Sequence, residues 1–168
     1  MKRNFVKTIG GTVLAFMVIS ALTFGLVFAQ DESISESRRG GDRLEGTWDA
    51  QVTIRNCQTG AAIRTFASIG TFMSGGTLLD STSGIPQALK TPGHGVWSHT
   101  GGRNYRFKFK SFSFDANGNF TGWTIINHEA NLNRRANEYE SVGTAEVYAP
   151  NGNLLFTGCS TTTATRFE

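Results

Sequence analysis

The chain has little proline, little cysteine and little histidine: three, two and three residues among 168. So few cysteines exclude a disulfide-dense miniprotein and any four-cysteine metal module. The histidines are His94, His99 and His128. His94 and His99 stand five apart, which on a strand puts them on opposite faces and argues against a chelating pair. Beyond residue 30 no stretch keeps an apolar repeat of 3.6 residues over three turns, which excludes a helical bundle. There is no Gly-x-Ser-x-Gly elbow, no ordered Ser, His and Asp set, and no glycine loop leading into a Lys and a helix. The acids Asp49, Asp80, Asp115, Glu138, Glu140 and Glu146 fall mainly on expected wet faces or turns. They form no evident inward pair, so chemistry with two carboxylates has no candidate.

What is present begins with Met1-Lys2-Arg3-Asn4-Phe5-Val6-Lys7 and an uncharged run from Ile9 to Phe28, closing on Val27-Phe28-Ala29. A basic head, an apolar middle and small-residue cleavage chemistry predict a signal peptide over residues 1–29. The run is long enough to be read instead as a membrane anchor. Gly10, Gly11, Thr12, Ser20 and Thr23 dilute its apolarity and favour cleavage. Cleavage removes three of the sixteen bases and none of the thirteen acids, leaving thirteen of each. The mature chain is then near neutral, so nucleic acid is not an expected partner, and no integral span is expected after cleavage. Residues 30–43 lack an apolar period and read as a flexible leader; residues 44–168 form one domain. The expected location is periplasmic or secreted, and Cys57 and Cys159 are expected to pair there, two separate thiols being the alternative.

Period-two alternation between Gly and Asn turns makes residues 44–168 an all-β domain. Strands are predicted near 46–56, 62–73, 77–81, 94–100, 104–114, 119–132, 138–149 and 154–167. On the first, Trp48, Ala50, Val52 and Ile54 share one face; on the seventh, Tyr139, Ser141, Gly143, Ala145 and Val147 oppose Glu138, Glu140, Thr144 and Glu146. The fifth alternates Tyr105, Phe107 and Phe109 against Arg106, Lys108 and Lys110, after which Phe112 and Phe114 fall on the Lys side. A bulge near Lys110 and Ser111 is expected to return them to the aromatic face. The basic stripe opposite reads as a solvated face. Eight strands with short turns predict an antiparallel up-and-down barrel, closed by a disulfide, whose interior can hold one small ligand.

In such a barrel the last strand pairs with the first, and paired residues share a nearly constant sum of their numbers. The cysteines give 216 and Trp48 with Arg166 gives 214, an agreement that a bulge or diagonal contact allows. Arg166 is thus expected over the Trp48 indole, a cation–π contact of about 0.5 to 2 kcal/mol. Leu44-Glu45-Gly46-Thr47-Trp48 resembles the Gly-x-Trp entry of the lipocalin and wider calycin group, and Arg166 stands where that group has a C-terminal Arg. The resemblance implies a barrel closed at one end and open to ligand at the other; avidin-like, haem-binding and allene-oxide-cyclase-like barrels remain open alternatives.

The expected function is binding of a small apolar molecule, with Phe66, Tyr105, Phe107, Phe109, Phe120, Ile126, His128 and Tyr139 as cavity candidates. Trp48, Arg166 and the disulfide are expected to close the blind end. No catalytic residue and no metal ligand is assigned. No cofactor is expected, haem on a single histidine being the remote exception. The alternatives are a cofactor-independent isomerase or cyclase, favoured by a buried polar pair in the lumen, and a structural or interaction domain with a solid core. The oligomeric state is left open.

Overall fold

A computed structural model describes residues 43–167, so the expected signal peptide lies outside the described residues, as does the leader except for Arg43. Eight antiparallel strands follow one another around a closed barrel: β1 Gly46–Arg55, β2 Ala62–Met73, β3 Thr77–Thr82, β4 Gly93–Gly101, β5 Asn104–Phe114, β6 Phe120–Leu132, β7 Glu138–Tyr148 and β8 Leu154–Arg166. Pairing of β1 with β8 closes it, with Trp48 opposite Arg166 and Arg55 opposite Cys159. Closure removes both sheet edges, which is how a sheet of this length avoids pairing with other chains. The link between β3 and β4 carries one 3₁₀ turn, Gln87–Leu89. Among the described residues no helix is long and apolar enough to cross a membrane.

One end of the barrel is solidly packed. Leu44, Trp48 and Leu132 are fully buried there, with Tyr105 and Tyr139 close to it. Trp48 meets Tyr139 edge-on at 5.0 Å, and Phe72 stands edge-on to Trp97, Phe107 and Tyr139. Such contacts add about 0.5 to 1.5 kcal/mol each beyond burial. Arg166 lies over Trp48, 4.4 Å from the ring centroid. Its guanidinium donates to the carbonyls of Ala136, Glu45 and Arg43 at 3.0, 2.6 and 2.7 Å, while Trp48 Nε1 donates to Leu44 at 2.9 Å. Gly46 permits this approach: its φ of +119° suits glycine, and a Cβ there would stand 2.6 Å from the guanidinium.

Cys57 and Cys159 are bonded, their Cα atoms 5.3 Å apart. The bridge does not join Trp48 and Arg166 at the packed end, which corrects the expectation. Cys57 lies two residues beyond Arg55, the last residue of β1, at the far end of that strand from Trp48, so the disulfide pins the opposite half of the barrel.

Two further departures concern strand phase. No bulge occurs at Lys110 and Ser111: β5 pairs with β6 without interruption from Lys110–Ile125 through Ser111–Thr124 to Phe112–Trp123. Alternation therefore turns Ser111 inward and Phe112 outward, 46% exposed. The irregularity comes later, where Ser113 faces Gly122 but Phe114 faces Phe120, an extra residue on β6. That residue, Thr121, breaks the phase of Phe120, Gly122 and Thr124 assumed from sequence. Phe120 leaves the lumen and packs outside with Phe112, Phe114 and Trp123.

Candidate functional site

The half of the barrel away from Trp48 is not filled by its side chains. It holds a cavity of about 350 Å³, at the small end of ligand sites. Val52, Ile54, Phe66, Phe109, Ile126 and Val147 form much of its wall, and Phe72 and Tyr139 lie toward the packed end. The connection between β3 and β4 contributes Gly84, Ile85 and Lys90 at the mouth. A larger hollow of about 670 Å³ includes Arg55, Glu129, Glu140 and Thr161, but Arg55 is already held by Thr161 at 2.8 Å. The lumen is the better site, because apolar walls there surround a few convergent polar groups.

Those groups include Ser68 on β2, Asp80 on β3, Lys90 in the β3–β4 connection, Ser111 on β5 and His128 on β6. On β3 Leu78 points inward, so Asp80, two residues on, does too; its side chain is 15% exposed. This corrects its expected place on a wet face. Burial is the main cause raising its carboxyl above the ordinary Asp value, partly opposed by the Ser68 hydrogen bond and by Lys90. Ser68 Oγ lies 2.6 Å from Asp80 Oδ2 and 3.0 Å from the Ser81 carbonyl. Ser68 donates to the Asp80 carboxylate at the shorter distance, with the Ser81 carbonyl as the second, longer acceptor.

Lys90 Nζ is 3.9 Å from Asp80 Oδ1 and donates to the Thr91 carbonyl at 3.3 Å. That separation exceeds a charge-assisted hydrogen bond, so the pair is loose. Burial lowers the Lys90 ammonium, Asp80 opposing it. Burial, followed by the charge of Asp80, raises the Tyr139 phenol. Gly93 pairs with Asp80 and carries no side chain; a Cβ there would stand 2.5 Å from the Phe109 ring and 3.3 Å from Asp80 Cβ. Ser111 is 2% exposed and lines the lumen, and its Oγ has no hydrogen-bond partner among the described residues.

His128 is constrained differently. Its Nδ1 and Nε2 lie 2.8 Å from the hydroxyls of Ser141 and Ser160, and the ring stacks on Phe107. Burial lowers it to about 4, so the imidazole is neutral at pH 7. Both nitrogens are engaged, and binding a haem iron would require breaking one of these bonds. Among the described residues no cluster of three His, Cys, Asp or Glu side chains is arranged to hold a metal ion.

Of the eight cavity candidates, Phe66, Phe107, Phe109, Ile126, His128 and Tyr139 line the lumen together. Tyr105 belongs to the packed end, its ring 6.1 Å from that of Trp97, and Phe120 lies outside. Sequence reasoning missed Ser68, Asp80, Lys90 and Ser111. For Asp80 the signal was its spacing of two from Leu78, blurred by the adjacent Leu79 in a strand of six residues. Compared with models of protein families, with curated proteins and with solved structures, the chain finds no match in any of the three.

Proposed function

We propose that this chain is an exported calycin-like barrel that binds one small, largely apolar molecule in its lumen. The observation that carries the reading is the 350 Å³ cavity between an aromatic floor and a loop-lined mouth, in a barrel whose other end is tightly packed. The apolar wall supplies affinity, since each buried methylene of a ligand is worth about 0.8 kcal/mol before the costs of association. The Trp48–Arg166 closure supports the calycin assignment. The basic, then apolar N-terminus and the disulfide support export to an oxidising compartment.

Titration of the signal-free protein with N-phenyl-1-naphthylamine, a neutral apolar fluorophore, tests the reading. Saturable enhancement is expected in the parent, and it should disappear in Ala145→Phe, which places a ring in the lumen. Equal enhancement in a folded Ala145→Phe protein, or none in the parent, overturns it.

A second reading, cofactor-free isomerisation or cyclisation of an apolar substrate, is favoured by the Asp80–Ser68 contact, a hydrogen-bonded polar pair in the lumen wall. It requires that Asp80→Asn abolish turnover while the fluorophore still binds. A substrate found bound and turned over equally by that variant sinks it.

A further inference from the structure

Ser111 is the group that the packing leaves unexplained. A hydroxyl that is buried and unpaired costs about 1 to 3 kcal/mol, and alanine would fit the same strand without that cost. It is not a relic of disorder in β5, because pairing with β6 is unbroken on both sides of it. The β4–β5 register pairs Gly95 with Phe109 and His94 with Lys110, so one step further Gly93 comes beside Ser111; on its other side Gly93 pairs with Asp80. Ser111 and Asp80 thus share one belt of the lumen, two strand spacings or roughly 10 Å apart between backbones. The glycine between them lets the Phe109 ring lie against the wall there.

The geometry points to Ser111 as the anchor for a single neutral oxygen, a hydroxyl or carbonyl, on an otherwise apolar ligand seated in the lumen. This rests on the lumen being the binding site and names the chemistry of what it takes. A hydroxyl side chain can donate to a carbonyl or accept from an alcohol, so both functions fit. A carboxylate head fits poorly. It would lie in the same buried space as Asp80, and the adjacent ammonium, Lys90, already faces that carboxyl. Arg64, at the mouth, donates to the Gly84 carbonyl and lies over the Phe66 ring.

A purely apolar cavity ranks ligands by hydrophobicity and prefers a hydrocarbon to the matching alcohol, because the hydroxyl must be desolvated without return. A cavity with a waiting hydroxyl reverses that order. Displacement of bound N-phenyl-1-naphthylamine is measured with undecane, decan-1-ol, decan-2-one and decanoate, on the parent and on Ser111→Ala and Ser111→Thr. In the parent the alcohol and ketone are expected to displace the fluorophore more strongly than the hydrocarbon. Ser111→Ala should weaken both by about ten-fold and leave undecane unchanged, while Ser111→Thr, which keeps the hydroxyl, retains the parent order. If undecane leads in the parent, or if Ser111→Ala leaves the alcohol unaffected, the anchor is wrong although the lumen still binds. If decanoate leads, the head group belongs at the basic mouth and the anchor is again wrong. A parent that binds no fluorophore removes the lumen reading itself, a result distinct from the others.

Discussion

The two ends of this barrel are built on opposite principles. At the Trp48 end the rings interlock, and Arg166 spends its guanidinium on three backbone carbonyls. At the other end the wall is apolar but unfilled, Asp80 and Lys90 are loosely paired, and Ser111 has no hydrogen-bond partner among the described residues. The comparison teaches that packing stabilises one half, whereas the other is held in shape by strand closure and a covalent bridge. Unsatisfied groups persist where the rest of the structure is rigid enough to hold them, and they cluster at sites of function.

The sharpest way to break this division is to remove the bridge. Cys57→Ser with Cys159→Ser opens a loop of 102 residues and is expected to lower stability by up to about 4 to 5 kcal/mol in denaturant unfolding, with the barrel still formed. Because the bridge lies beside the lumen, fluorophore affinity should also fall. An unchanged denaturation midpoint would show that packing alone holds the open half.

Next in size is the packed end. Arg166→Ala leaves three carbonyls without their donor and uncovers the Trp48 indole, for an expected loss of about 3 kcal/mol. Lumen affinity should change little at temperatures where the variant is folded. A large change in affinity with little loss of stability would reverse the roles assigned to the two ends.

His128 links the halves through pH. Its folded value of about 4 lies below the ordinary 6.5, so between these values the unfolded chain binds the extra proton. The contribution to stability is complete above 6.5 and is lost as pH falls toward 4, by about 3 kcal/mol in all. His128→Gln, which retains hydrogen-bonding capacity toward the serines, should flatten that slope in acid-dependent melts. Persistence of the same slope would place the acid sensitivity elsewhere.

The smallest effect has the opposite sign. Asp80 is raised by burial, so its charged form opposes folding as pH rises above the ordinary Asp value. Replacing the loose pair together, Asp80→Asn with Lys90→Met, is expected to stabilise the neutral-pH fold by about 1 to 2 kcal/mol. A marked destabilisation would mean that the pair is structural, and it would join the packed end in purpose.

Much of the architecture was legible because it is local. β1 and β7 alternate cleanly, Asp115-Ala116-Asn117-Gly118 turns β5 into β6, and the pairing of Trp48 with Arg166 followed from residue numbers once barrel closure was assumed. Ser111 and Phe120 were misread for a shared reason. Period-two alternation says that a strand has two faces, but the phase holds only until an extra residue intervenes, and aromatic content was a poor guide to where that residue lies. Phe112 and Phe114 invited a bulge before them, whereas the bulge sits across from Phe114, on β6. The outward aromatics are not stranded: Lys110 lies over Trp123 and Phe112, and Trp123 stacks on Tyr148.

The sequence by itself determined the number and order of the strands, the all-β class and the two cysteines able to bridge, because turns and alternation depend on neighbours along the chain. Only the tertiary structure decided what the lumen contains. Whether Asp80 and Ser111 face inward depends on register with strands distant in sequence, and whether the inward side chains meet depends on their combined volume against the barrel's width. They meet around Trp48 and Phe72 and do not meet between Phe66 and Ile126, which is why one end became a core and the other a cavity.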